Sequence, residues 1–277
     1  MSQSAAFAMA CRRSQNRIAV MNELRRLLPG MERGGQTLPF GLAALDGHLP
    51  QGGLICGALH EVVPEIGGST PAALGFIMAL LARITSLPPS AAGMGVRLPR
   101  VQPLFFIIPT YGRREYGQPS GHGLNGLGLD PTRLILVETA HRQETLWAIE
   151  ESLRSGAAAA VAGVIDKLDL KLSQRLHLAA TAAGLPLLLL RSAQNLASSA
   201  AATRWRVGTV FGRRDRFGLF ARPRWHLHLE RCRNGRPGDW IVEYDHVAHR
   251  FSLAAAVADS ALSCGTGEKA GRKTHRA

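Results

Sequence analysis

The chain has 277 residues, 46% of them hydrophobic, which is enough for one large core with short extensions. Its 33 Lys+Arg against 20 Asp+Glu give a net charge of +13, a balance that favours nucleic acid, an anionic surface or an acidic protein as partner. Lys167, Lys171, Lys269 and Lys273 are the only lysines, so arginine carries nearly all of it, by chemistry or through a GC-rich genome. Cys11, Cys56, Cys232 and Cys264 form no C-x-x-C pair and have no histidine at ligand spacing, which argues for a reducing compartment and against structural zinc. Ala5–Ala10 precedes Arg12 and Arg13, the reverse of a secretory signal. The longest apolar run, near Ala179–Leu190, is broken by Gly184 and Pro186. A cytoplasmic protein with no membrane partner is expected.

Residues 1–36 read as a basic amphipathic helix over 12–28, with Ile18, Met21, Leu24 and Leu28 on one side, followed by a linker at Gly34-Gly35. That helix docks either on a partner or back on its own domain. The core is expected over 37–258. Leu54 to Val63 is apolar and predicts a buried strand, and Pro71 opens a helix to about Thr85. Between them stands Pro64-Glu65-Ile66-Gly67-Gly68-Ser69-Thr70. Strand, Gly-rich turn and helix is the setting of the G-x-x-x-x-G-K-[ST] loop, whose amides and lysine hold nucleotide phosphates. Here Val63 takes the first Gly position, Gly68 the second and Ser69 the lysine position, and only Thr70 fits the metal-side hydroxyl. Efficient ATP hydrolysis is not expected, because the charge that neutralises the outer phosphates is missing. No cofactor is required, and residual ATP binding through Gly67, Gly68 and the helix N-terminus stays open. The plainer reading is a helix with Thr70 as its N-cap.

A Pro- and Gly-rich linker over 88–103 leads to a strand at Leu104–Ile108 and then to a long loop, 109–127, holding Arg113, Arg114 and His122. Arg133–Val137 predicts a strand, 141–154 a helix with Gly156 beyond it, and 157–165 a strand of small residues. Asp169 is placed to cap a helix closed by Gly184, and Leu187–Leu190 is a further buried strand. These β-α-β units with continuously apolar strands imply a mostly parallel twisted sheet flanked by helices, an α/β fold. Arg204–Val210 alternates. Trp225–Arg231 and Trp240–Asp245 flank Asn234-Gly235-Arg236-Pro237-Gly238, so the sheet is expected to finish in an antiparallel hairpin. Residues 259–277 read as a disordered basic tail.

Short pieces in a fixed order carry a family resemblance. They are Gly41-Leu42-Ala43-Ala44-Leu45-Asp46, Leu49-Pro50-Gln51-Gly52-Gly53-Leu54, His60-Glu61 and Gly128-Leu129-Asp130-Pro131-Thr132-Arg133-Leu134. Further on stand Arg175-Leu176-His177-Leu178-Ala179-Ala180, Ala201-Ala202-Thr203-Arg204-Trp205-Arg206-Val207 and the run from Arg231 to Trp240. Together they resemble the RecA-like ATPase core and, within it, the ImuA family of SOS mutagenesis proteins, relatives of RecA and of the cell-division inhibitor SulA.

The departures concern the catalytic positions. Besides Val63 and Ser69, the chain has Pro109-Thr110 where RecA carries a catalytic glutamate, and no acid within 157–165, where a Walker B aspartate belongs; Asp166 lies just past it. The resemblance, with these departures, implies a non-catalytic adaptor in damage-induced translesion synthesis, acting with an ImuB-type inactive Y-family polymerase relative, RecA and an error-prone DnaE-type polymerase. Single-stranded DNA is a further candidate partner, from the basic aromatic cluster over 204–236. The alternatives are a SulA-like cell-division inhibitor and a weak nucleotide-binding ATPase.

Two further groups invite chemistry. His60-Glu61 lies on a buried strand and reads as a structural pair, while His226 and His228 on one strand face lack an evident third metal ligand. The basic aromatic cluster Arg204, Trp205, Arg206, Arg222, Arg224, Trp225, Arg231, Arg233 and Arg236 offers DNA or partner contacts. Its arginines neutralise phosphate, and its tryptophans either stack on bases or fill the core.

Overall fold

The computed structural model describes residues 36–86, 102–194, 197–214 and 216–254. The basic helix expected over 12–28, most of the 88–103 linker and the tail over 259–277 lie outside them. The strand expected over Leu54–Val63 is two strands. β1 (Thr37–Leu38) and α1 (Ala43–Asp46) lead to β2 (Leu54–Ile55), which pairs antiparallel with β1. The chain then turns at Gly57, whose φ of 76° suits glycine and whose Cα face abuts the backbone of Gly184. Only after that turn does β3 (Leu59–Pro64) begin, buried at every residue.

A 3-10 turn, Gly67–Ser69, feeds α2 (Thr70–Ser86). Thr70 is the first helical residue rather than the N-cap, and its hydroxyl donates to the Gly67 carbonyl at 2.9 Å. The segment Gly67–Ser86 is long and apolar enough for a membrane span, yet 67% of its most apolar 18-residue stretch is buried inside the domain, as befits a core helix.

β4 (Leu104–Pro109) follows, and the stretch expected to be a loop holds two short helices, α3 (Thr110–Tyr116) and α4 (Gly121–Gly126). Gly112 lies beside Ile108 and Val164, and the Ser120 side chain caps α4 by accepting from the Gly123 amide. β5 (Leu134–Thr139), α5 (Arg142–Arg154), β6 (Ala160–Val164), α6 (Leu170–Ala183), β7 (Leu187–Leu190) and β8 (Thr203–Thr209) complete the α/β part. The Asp169 carboxylate accepts from the Leu172 amide at 2.8 Å, and Gly184 ends α6 at φ 70°, as the sequence predicts.

A small hairpin of β9 (Arg213–Arg214) and β10 (Phe220–Arg222) precedes β11 (Arg224–Cys232), β12 (Gly238–Asp245) and β13 (Arg250–Leu253). Among the described residues the main sheet has nine strands in the order β13-β12-β11-β8-β3-β7-β6-β4-β5. It is parallel from β8 to β5 and antiparallel from β8 through β13. This is the α/β, RecA-like architecture the sequence implies. On one face α2 packs Phe76 among Phe40, Trp205, Trp225 and Phe251; on the other, α5 and α6 pack Ile149, Leu153 and Leu176 over β4, β6 and β7.

Candidate functional site

β3 delivers the Gly-rich loop to the carboxyl end of the parallel strands, where open α/β sheets bind ligands. Pro64 is buried, whereas Glu65, Gly67 and Gly68 are exposed. Several loop groups bond within the protein. The Glu65 amide donates to the Val207 carbonyl, the Ser69 amide to Ile66 and the Thr70 amide to Gly67. The Glu65 carboxylate turns back to the sheet, 3.4 Å from Nδ1 of His226, and a Cβ at Gly208 would run into it. Ser69, at the lysine position, is only 1% exposed.

Beneath the loop lies a cavity of about 240 Å³ lined by Gly67, Thr70, Glu115, Asp166, Arg191 and Gln194 among others. It falls below the range of roughly 300–1,000 Å³ usual for small-molecule sites. Burial raises the Asp166 pKa above the ordinary carboxylate value; a hydrogen bond with Tyr111 and the Arg191 charge oppose the rise, and the Glu115 charge adds to it. Asp166, just beyond β6, therefore does face the loop. Thr110 donates its hydroxyl to the Thr139 carbonyl, so it takes no part in the cavity, but Glu115 one turn later does. Glu115 escapes a sequence reading because the glycines and the two prolines of 109–127 hide α3.

The guanidinium of Arg191 reaches back into the core, donating from Nη1 to Glu61 Oε1 at 2.5 Å. Arg204 donates from Nε to the other Glu61 oxygen at 2.8 Å, and the Ser199 hydroxyl donates to the same atom. Next to it His60 is also fully buried, bonded to Thr203 Oγ1 and to the Ile55 carbonyl, each at 2.8 Å. His60 and Glu61 are thus both satisfied structural residues, each with its own partners.

The basic aromatic cluster divides. Trp205 is 0% and Trp225 3% exposed, both inside the aromatic core, so neither is placed to stack on a base. Arg204 is buried on Glu61. Arg206 pairs with Glu230, Arg222 with Glu243 and Asp245, and Arg224 with Glu243. Arg231, Arg233 and Arg236 are exposed and bond the backbone carbonyls of Ser199, Ala200 and Gly47, which leaves their charge at the surface. His226 and His228 share Asp239, at 2.8 and 3.2 Å, and among the described residues no group of three or more His, Cys, Asp and Glu is arranged to hold a metal. Burial lowers the His226 pKa, but its bonds to Asp239 and Glu65 outweigh this and raise it overall.

No family model matches the chain. It is 32% identical over 252 residues to Protein ImuA of Caulobacter vibrioides, in strain NA1000 / CB15N and in strain ATCC 19089 / CIP 103742 / CB 15, across 83% of this chain and 95% of each relative. The chain belongs to the ImuA family. Membership supports a role in damage-induced mutagenesis.

The pieces that carry the ImuA resemblance do structural work here. The Asp46 carboxylate accepts the amides of Phe40, Gly41 and Leu42, closing the turn before α1. The Arg231–Trp240 turn docks on that region, with the Arg236 amide donating to His48 O and the His48 ring bonded to Pro237 O. Gly235 and Gly238 permit the approach, since a Cβ at either would strike Cys232 and His48 or the Trp240 ring.

Proposed function

We propose that this ImuA-family chain is a non-catalytic RecA-like adaptor of damage-induced translesion synthesis. It joins an ImuB-type inactive polymerase relative to RecA and DNA, in company with an error-prone DnaE-type polymerase. One observation carries the loss of catalysis. The lysine position is a buried serine, and Arg191, the cation lining the cavity, is bonded to Glu61 while Glu115 and Asp166 face the same space. Phosphoryl transfer depends on cations around the transferring group, and this field opposes a polyphosphate.

The test is ATP hydrolysis by the full chain, with and without single-stranded DNA, against a Ser69→Ala/Thr70→Ala variant. Both proteins should give the same background rate while both co-purify with the polymerase relative. DNA-stimulated turnover that the double substitution abolishes sinks the non-catalytic reading, and absence of the complex sinks the adaptor reading.

A further inference from the structure

β9 and β10 form a two-stranded sheet of their own, apart from the nine-stranded one. Around this hairpin large apolar side chains face solvent: Phe211 is 92%, Phe217 71% and Leu219 65% exposed. The Arg216 guanidinium lies 4.6 Å from the centroid of the Phe217 ring. From Phe211 to Phe220 the sequence carries Arg213, Arg214 and Arg216 against Asp215 as the one acid, while Arg222 beyond them is paired with Glu243 and Asp245. Rings this exposed forfeit most of the burial that the core gives Phe76 and Phe251 and present their faces to solvent. An occupant must therefore offer flat apolar faces and negative charge together. Unpaired bases and their phosphates supply both at every nucleotide, whereas an acidic protein surface supplies the charge without the regular faces.

We propose that this hairpin is a single-stranded nucleic-acid contact, in which Phe211 and Phe217 stack on unpaired bases and the arginine-rich turn around Arg216 neutralises phosphate. The stacking role that the sequence offered to Trp205 and Trp225 falls instead to two phenylalanines outside the core. The inference deepens the adaptor reading and rests on it for the presence of DNA.

The experiment titrates fluorescein-labelled oligothymidylate with the full chain, followed by anisotropy over a series of salt concentrations. Phe211→Ala and Phe217→Ala should each weaken binding roughly 5- to 100-fold with the salt slope retained, and the corresponding Trp variants should keep the affinity. Arg216→Gln should lower the slope by about one. Thermal unfolding should be unchanged, because the rings are exposed. A Phe211→Ala/Phe217→Ala protein that binds the oligonucleotide like wild type overturns the proposal, as does a wild-type chain that binds phosphatidylglycerol vesicles but no oligonucleotide. Co-purification with the polymerase relative is scored on the same variants. Loss of that complex with DNA affinity intact makes the hairpin a protein-docking surface and also overturns the proposal. Loss of DNA affinity with the complex intact supports it. A wild-type chain without the complex removes the adaptor reading instead.

Discussion

Arg191 Nη1 donates to Glu61 Oε1 at 2.5 Å, and both side chains are fully buried. The pair joins β3 to the segment just after β7, directly behind the cavity, and Arg204 of β8 closes on the second carboxylate oxygen. Three neighbouring parallel strands are thereby tied by one carboxylate. The same bond holds the cavity's guanidinium toward the core, so one carboxylate both ties the sheet and sets where that guanidinium points.

Glu61→Gln keeps the shape of the side chain but leaves two guanidiniums in the core without their countercharge. Breaking a buried charge network from one side costs about 3–5 kcal/mol. Urea unfolding of the variant should show a loss of that size, and Arg204→Gln a smaller one, since Glu61 would retain Arg191. A loss under about 1 kcal/mol for Glu61→Gln would mean that water reaches the site and the network is not structural.

His60 gives a pH dependence of defined sign. The Ile55 carbonyl can only accept, so His60 Nε2–H donates to it at 2.8 Å; Nδ1 of the neutral ring then accepts from the Thr203 hydroxyl, whose oxygen takes the Trp205 Nε1–H at 2.9 Å. The ring is held neutral, and burial pushes its pKa down to about 4 from the ordinary 6.5. Between those values the unfolded chain binds more protons than the folded one, so stability falls as the pH drops through this window and levels off below it. The loss due to His60 is about 3 kcal/mol. Burial lowers His177 and His249 in the same sense, whereas the raised pKa of His226 acts in the opposite one. Urea midpoints at about pH 7 and about pH 4.5 should differ less in His60→Gln than in wild type. An equal difference in both proteins would assign the acid sensitivity elsewhere.

What was legible in the sequence was local. Asp169 and Gly184 bound α6 because an N-cap acid and a left-handed glycine act within a few residues of themselves. Leu187–Leu190 is apolar because it is covered on both faces. The helix α3 was not legible: Pro109, Gly112, Gly117 and Pro119 in and around it resemble a loop. That hid Glu115, and with it half of the cavity's negative charge. The partners of Glu61 were equally out of reach, because Arg191 and Arg204 stand 130 and 143 positions away. Alternation marked both faces of β8 and β11 but left open which face held the tryptophans. That depended on the aromatic rings of α2 and β13 packing against one of them.

The division of the arginine cluster yields the last prediction. Arg231, Arg233 and Arg236 hold their charge at the surface on backbone carbonyls, whereas Arg204 is buried on Glu61. Replacing the three exposed residues by Gln should leave thermal stability nearly unchanged and lower the salt slope of single-strand binding by about one for each phosphate contact removed. Arg204→Gln should do the reverse, with a loss of stability and an unchanged slope in the folded fraction. Trp205→Ala belongs with Arg204: emptying a fully buried indole site costs about 3–5 kcal/mol, and its DNA affinity should fall only with the folded population. The discriminating measurement is the salt slope taken on protein whose folded fraction is known from its melting curve. Should the triple variant keep both affinity and slope, DNA does not reach the Arg231–Arg236 turn, and that basic rim is left to a protein partner.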